Sequence, residues 1–231
     1  KFELASSNKI KYKISRYLWY SFLRMQRKVA PKISNIITPS QSYKKGILDE
    51  FNCKGSSITV INNGLDAQEF CPIPNSTRNK NRLITTASAD VPLKGLDYSL
   101  KALKLLKKDN PKMHLIVIGN YKKNGHTERL IKKLGIDQDV IFKKNISKDE
   151  IKKLYSSSSI AIVSSLYEGF GYPVIEAMSC EVPIIATNVS SIPELVSDFG
   201  TIIEPKNENQ LKKSIIKVMQ NYDHFKDIAI K

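Results

Sequence analysis

Short apolar runs alternate with amphipathic segments along most of the chain from about residue 84 onward. Leucines in 95–109 recur at helical spacing, whereas the run LIVI within 114–119 is continuously apolar, which is typical of a buried strand. The predicted strands are 82–88, 114–119, 139–142, 160–165, 183–187 and 201–205, and the predicted helices are 95–109, 126–135, 147–158, 174–181 and 207–222. This alternation predicts an α/β fold, a Rossmann-type doubly wound parallel sheet with ligands at the carboxyl ends of its strands.

Two local signals support these predicted helix ends. Ser147 is followed three residues later by Glu150, the spacing of a capping box at a helix start. Gly135 follows the last apolar position of another helix, where a left-handed residue commonly ends the helix.

The first 80 residues do not show this alternation of apolar runs and amphipathic segments. We predict a strand at 33–40, a short helix at 41–51, and a strand at 57–66 that runs into an Asn-Gly turn. These elements are too few for an independent core, so residues 1–70 are expected to be the tail of another domain plus an interdomain segment. Residues 71–81, rich in Pro and Asn, are expected to be a linker, and residues 82–231 the Rossmann-type domain.

The composition narrows the function classes. The net charge is +15, yet only 6 of the 37 basic residues are arginines, whereas specific nucleic-acid readers favour arginine; no nucleic-acid partner is expected. The three cysteines are widely spaced and indicate neither disulfides nor a zinc site. Because the chain has neither an apolar run of about 18–20 residues nor a secretory h-region, a cytoplasmic location is expected.

Candidate chemistry is concentrated in residues 164–187. Glu168 and Glu176 are separated by seven residues, which include Gly169, Gly171 and then Pro173. Proline is favoured in the first turn of a helix, so Glu176 is expected about one turn inside it. Glycines allow backbone amides to approach a ligand, a helix N-terminus binds phosphate, and a carboxylate accepts hydrogen bonds from vicinal hydroxyls. The segment therefore suits a ligand with sugar hydroxyls and phosphates.

This stretch, with EGFG and EAM inside it, resembles the donor-site motif of family 4 glycosyltransferases with the GT-B fold. Similar pieces occur in order elsewhere: 58–70 resembles the interdomain segment, Lys94-Gly95 a phosphate-binding lysine at a helix start, and 192–196 the loop after a core strand. The resemblance covers roughly residues 33–220. It implies that the Rossmann-type domain is the C-terminal, donor-binding half of such an enzyme.

The resemblance also implies roles for individual residues. Lys94 would neutralise the donor diphosphate, Glu168 would orient the transferred sugar, and Glu176 would bind the ribose hydroxyls. The remaining donor-binding residues would be Gly95, Ile146 at the base pocket, the backbone amides of Gly169, Phe170 and Gly171, and Tyr172. The implied reaction is retaining hexosyl transfer from a UDP- or GDP-sugar to a glycan or lipid-linked acceptor in cell-envelope polysaccharide synthesis, with no metal or other cofactor.

Some positions depart from the family pattern. Ala89 stands where the family usually has an arginine, so that either Lys143 or Lys144 substitutes for it or activity is reduced. Glu181 and Lys144 stand where glycines are common, and Ser190-Ser191 replace a frequent glycine pair.

Alternative interpretations accompany these assignments. Glu176 could be a carboxylate favoured by the helix dipole, Glu168 an ordinary loop residue, and Lys94 a solvated lysine. The basic, aromatic-rich segment 9–28 could contact an anionic membrane or pack in the missing domain. Since the acceptor domain and the catalytic histidine of the family lie outside this chain, the runner-up function is an inactive fragment that only binds the nucleotide sugar.

Overall fold

A computed structural model describes residues 22–230, which divide into two compact units after Asn63. The first unit contains helix α1 (Phe22–Val29), strand β1 (Ile36–Thr38), helix α2 (Gln41–Phe51) and strand β2 (Ile58–Val60). Strands β1 and β2 form a two-stranded parallel sheet. Most of the basic segment 9–28 lies outside the described residues.

The second unit is built on a six-stranded sheet. Its strands are β3 (Asn79–Thr86), β4 (His114–Ile118), β5 (Val140–Lys143), β6 (Ser158–Val163), β7 (Ile184–Thr187) and β8 (Thr201–Ile203). All pair in parallel, in the order β5-β4-β3-β6-β7-β8. The helices between and after them are α3 (Leu96–Leu106), α4 (His126–Leu134), α5 (Lys148–Ser156), α6 (Tyr172–Ser179), α7 (Ile192–Val196), α8 (Glu208–Gln220) and α9 (Tyr222–Ile230). The predicted α/β architecture is confirmed.

Strand side chains alternate between two hydrophobic layers. In β6, Ile160 and Ile162 join the layer that includes residues of α3, α4 and α8, whereas Ala161 and Val163 join the layer with residues of α5, α6 and α7. Because successive residues of a strand point to opposite faces, a continuously apolar strand requires a covering of helices on both sides. This explains why the strands lack the polar alternation of a half-exposed sheet.

The predicted helix signals act as expected. Ser147 Oγ accepts a hydrogen bond from the backbone N–H of Glu150, and the Glu150 side chain accepts one from the N–H of Ser147. Gly135 ends α4 with a φ of +62°. Strand β3 begins at Asn79, so the last three residues of the segment 71–81 belong to this strand. Residues 192–196, expected to be a loop, form the short helix α7.

In residues 22–230, no helix is both long enough and apolar enough to cross a membrane. Over the same residues, no group of three or more His, Cys, Asp and Glu side chains is arranged to hold a metal ion.

Candidate active site

The candidate site is formed by loops at one edge of the six-stranded sheet. Because all its strands are parallel, their carboxyl ends meet at this edge, where doubly wound proteins bind ligands. Lys94 follows β3, Ile146 follows β5, and Glu168 follows β6. The sheet thus collects residues that are far apart in the sequence.

Lys94 lies in a tight turn that is hydrogen-bonded to the segment following β6. Residues Pro92–Lys94 form one 3-10 turn, which Gly95 ends with a φ of +62° before α3 begins. Leu166 N–H donates to the carbonyl of Leu93 at 2.8 Å, and Ser164 Oγ donates to the carbonyl of Gly95 at 3.0 Å. A Cβ on Gly95 would lie 1.9 Å from the carbonyl oxygen of Ser164. The role of this glycine is therefore to bring the turn against the β6 loop.

Lys94 and Glu168 form an ion pair. Lys94 Nζ donates to Glu168 Oε1 at 2.8 Å and to Oε2 at 3.0 Å, and Ser165 Oγ donates to Oε2 at 2.8 Å. The Glu168 side chain is only 9% exposed, whereas that of Lys94 is 31% exposed. An ammonium has three donors, so the partly exposed lysine can also reach an incoming anion.

The segment between Glu168 and α6 presents backbone N–H groups. Ser191 Oγ donates to the carbonyl of Phe170 at 2.5 Å and so anchors the loop, and Gly171 precedes α6 with a φ of +112°. Among the described residues, no acceptor takes a hydrogen bond from the N–H groups of residues 169–172. The rings of Phe170 and the exposed Tyr172 meet edge to face, with centroids 5.5 Å apart. This helix start is open to an anion.

The start of α4, at the same edge of the sheet, is occupied by a carboxylate. Asp90 Oδ1 accepts from Thr127 N–H at 2.8 Å, and Oδ2 accepts from His126 N–H at 3.1 Å. Burial opposes ionisation of Asp90, but hydrogen bonds from Thr127 and His126 together with Lys122 lower its pKa overall. Because Asp90 already satisfies these amides, the start of α6 is the more available place for a phosphate.

Glu176 lies one turn inside α6, as predicted, next to a buried phenol. Tyr155 Oη donates to Glu176 Oε2 at 3.4 Å and lies 3.0 Å from Thr86 Oγ1. Burial raises the pKa of Glu176; the Tyr155 hydrogen bond lowers it, the Glu69 charge raises it, and the Lys148 charge lowers it. Lys148 Nζ and Glu69 Oε1 form an ion pair at 2.6 Å.

The structure brings the main predicted residues, Lys94, Glu168 and Glu176, to the same edge of the sheet. Ile146 packs against the hydrophobic layer that contains Tyr155. Ala89 is buried, and its N–H donates to the carbonyl of Asn120. Glu181 and Ser190, at positions where glycines are common, have φ values of +55° and +49°. These left-handed conformations give the physical reason for a glycine preference there.

Sequence reasoning missed Asp90, Tyr155 and the partner of His126. His126 Nε2 lies 2.7 Å from Asp97 Oδ2, although the sequence offered no partner at a familiar spacing. Tyr155 carried one usable signal, since it lies on an amphipathic helix and three residues before the buried strand β6. Its contact with Glu176 is a long-range one that no local pattern reveals.

Comparison with known proteins identifies the family. Residues 69–230 match the family described as glycosyl transferases group 1. The chain belongs to this family. The match covers the whole six-stranded sheet and every loop that forms the candidate site.

Two relatives are mannosyltransferases. The chain is 35% identical over 196 residues to the MMP alpha-(1->4)-mannosyltransferase of Mycolicibacterium hassiacum, a match that covers 84% of this chain and 47% of that protein. It is 29% identical over 149 residues to the O-antigen chain mannosyltransferase B of Escherichia coli, covering 60% of this chain and 36% of that protein. The matched region thus spans less than half the length of each of these two glycosyltransferases.

A solved structure supports the same architecture. The crystal structure of Anabaena HepE in complex with UDP-glucose superimposes with a TM-score of 0.77 and 20% sequence identity, covering 90% of this chain and 60% of that one. At this identity the similarity establishes the fold, which is that of GT-B glycosyltransferases.

Proposed function

We propose that this group 1 glycosyltransferase chain binds a nucleotide-diphosphate sugar and supports transfer of its hexosyl group, with retention of configuration, to a glycan or lipid-linked acceptor. Family 4 is the subfamily that its EGFG and EAM motifs favour. The observation that carries the proposal is the pairing of Lys94 with Glu168 beside the open start of α6. This arrangement places a cation, a buried carboxylate and free backbone amides within one small region.

Each group has a distinct task in the proposed reaction. Lys94 and the amides of residues 169–172 would stabilise the negative charge that develops on the leaving diphosphate. Glu168 retains an oxygen lone pair on Oε1 and would accept a hydrogen bond from a hydroxyl of the transferred sugar. Glu176 would accept hydrogen bonds from the ribose. We expect no metal ion, since Lys94 and the helix start supply the positive charge.

The relatives favour one class of donor. Both named relatives transfer mannose according to their names, so we infer a mannosyl donor with either a guanine or a uracil base. HepE was crystallised with UDP-glucose, which makes UDP-sugars the second class to test. An envelope polysaccharide or its lipid-linked precursor as acceptor, and a cytoplasmic location at the inner membrane face, are predictions from the same family resemblance.

A thermal-shift screen tests the donor site. We expect one of GDP, UDP, ADP, GDP-mannose and UDP-glucose to stabilise the chain by about 2.7 kcal/mol at about 100 times its dissociation constant. Glu176→Ala should abolish this shift because the ribose loses its carboxylate. The control is Asp198→Ala, which removes an exposed carboxylate between α7 and β8, at the opposite edge of the sheet. An unchanged shift in Glu176→Ala would remove the ribose assignment.

The alternative function is donor binding without turnover. The matched regions cover 47% of one relative and 36% of the other, so donor binding by this chain is proposed separately from the reaction of the whole enzyme. An assay of donor hydrolysis and transfer with the same nucleotide sugars separates the two functions. Turnover that disappears in Glu168→Gln supports the enzyme, whereas saturable binding without turnover supports the binding fragment.

A further inference from the structure

The hydroxyl of Tyr155 is the centre of a buried chain of hydrogen bonds. Tyr155 is 1% exposed, and its Oη lies between Thr86 Oγ1 at the end of β3 and Glu176 Oε2 on α6. The chain therefore connects the central strand to the helix whose start forms the candidate phosphate site. Tyr155 is not among the residues to which a role in donor binding was assigned above.

The direction of these hydrogen bonds follows from the number of available protons. Burial raises the pKa of Tyr155, so its phenol stays neutral and has one proton to donate. An ionised carboxylate can only accept, whereas the hydroxyl of Thr86 can donate to Tyr155 Oη. The arrangement that satisfies all three groups runs from Thr86 to Tyr155 to Glu176.

We propose that Tyr155 is a positioning residue for ribose recognition: its hydroxyl holds Glu176 Oε2 in place, so that the carboxylate faces the vicinal hydroxyls of the nucleoside. This inference rests on the proposed function. The Oη–Oε2 distance of 3.4 Å is long for a hydrogen bond between two oxygens. Loss of this hydrogen bond is therefore expected to change affinity modestly.

The charge state of Glu176 provides a second readout. The titratable groups that act on it are Tyr155, Glu69 and Lys148, and Cys180 at the end of α6 also interacts with it. Ribose binding requires the ionised carboxylate, so affinity falls as the pH decreases through the pKa of Glu176. Because the Tyr155 hydrogen bond lowers that pKa, removal of the hydroxyl moves this decrease in affinity to higher pH.

Titration calorimetry on the whole chain tests the proposal with UDP, GDP and their 2′-deoxy forms as probes. The wild-type chain should prefer the ribose form of the nucleotide that it binds. In Tyr155→Phe we expect the preference to decrease by about fivefold to tenfold, and affinity to weaken at a higher pH than in the wild type. Glu176→Gln should lose both the preference and its pH dependence.

The matched control is Tyr222→Phe. The hydroxyl of Tyr222 is also buried, and within the described residues it has no hydrogen-bond partner, so the same chemical change should leave preference and pH profile unaltered. If Tyr155→Phe fails to fold, Thr86→Val provides the second variant, because it removes the donor that directs the phenolic proton to Glu176. It should shift both readouts in the same direction by a smaller amount.

The outcomes separate the inference from the function on which it rests. A wild-type preference that Glu176→Gln abolishes and Tyr155→Phe retains, with an unchanged pH profile, would overturn the role of Tyr155 and leave the donor site intact. Equal binding of ribose and deoxyribose nucleotides by the wild type would overturn the ribose assignment itself.

Discussion

Gly95 couples the backbone of one turn to the position of the Lys94 ammonium. Its φ of +62° and the closeness of the Ser164 carbonyl leave no room for a side chain. The resemblance marked Lys94-Gly95 as a helix start, but it gave no reason for the glycine. The structure supplies one: a left-handed conformation in direct contact with the backbone of another loop.

Gly95→Ala should lower the free energy of unfolding by about 2–4 kcal/mol, because it adds a backbone contact to the cost of a left-handed alanine. Gly135→Ala is the control, since Gly135 has the same φ of +62° but its added Cβ would meet only Lys104 Nζ at 3.9 Å. Gly135→Ala should lower the free energy of unfolding by about 1 kcal/mol. Urea denaturation measures both variants, and equal losses would show that the contact with Ser164 adds nothing.

Individual site residues were predictable only where a local motif contains them. Glu168 and Glu176 belong to one short stretch, and their placement after β6 and inside α6 follows from the strand pattern and from Pro173. Asp90 and Tyr155 act through partners 37 and 21 residues away. Such partners are set by the packing of the whole sheet, which the spacing of residues in the sequence does not encode.

At the level of elements, α4 and α6 begin at the same edge of the sheet but differ in what meets their first amides. Asp90 caps α4 from the β3 loop, whereas α6 begins after Gly171 without a side-chain cap. A Cβ on Gly125 would lie 2.2 Å from Asp90 Oδ2, so the glycine before α4 provides room for the carboxylate. The start of α4 is therefore stabilised by a carboxylate of the protein, whereas the start of α6 is available for the proposed ligand.

Asp90→Asn should destabilise the chain by about 1 kcal/mol at neutral pH, because the amide replaces a charged cap at a helix start. The pKa of Asp90 is lowered by folding, so its contribution is complete above the unfolded value of about 3.9 and is lost as the pH falls through the lower folded value. Urea denaturation should therefore show a smaller difference in the free energy of unfolding between Asp90→Asn and the wild type at strongly acidic pH than at neutral pH.

Asn207→Ala is the control for this pH dependence. Asn207 caps α8 with an uncharged side chain that accepts from Gln210 N–H at 2.9 Å. Its loss should cost a similar amount of stability at both pH values. A destabilisation by Asp90→Asn that is equally large in strong acid would contradict the assigned electrostatic role.

Element boundaries were predictable where the hydrophobic pattern or a cap marks them. The ends of α4 and α5 follow from Gly135 and the Ser147–Glu150 capping box. The start of β3 was not predictable, because its first residues are polar and exposed. Its pairing with β6 also shifts register between Asn79 and Leu83. A strand that begins in polar residues leaves no apolar signal to detect.

At the scale of the whole molecule, the unit that begins at Gly64 contains the entire six-stranded sheet and all the proposed donor-binding residues. Its two hydrophobic layers come from its own strands and helices. The sequence predicted this architecture because buried parallel strands and amphipathic helices each leave a strong periodic signal. No periodic pattern in the sequence indicates which sugar is transferred or to which acceptor.

Residues 64–231 expressed alone should fold cooperatively and bind the same nucleotide with an affinity within about threefold of the whole chain, because all the proposed donor-binding residues lie in this unit. Calorimetric unfolding and nucleotide titration of the two chains provide the comparison. A shortened chain that folds but has lost nucleotide binding would show that residues before Gly64 complete the donor site.

The Lys94–Glu168 contact also affects the affinity of the proposed site for a phosphate. A free lysine side chain gives up about 1.5–2 kcal/mol of rotamer entropy when it is immobilised. Here two hydrogen bonds to a buried carboxylate already restrict the ammonium before any ligand arrives. The side-chain entropy of Lys94 is therefore lost largely on folding and not on ligand binding. Because less entropy is lost when a phosphate binds, more of the electrostatic attraction between lysine and phosphate contributes to affinity.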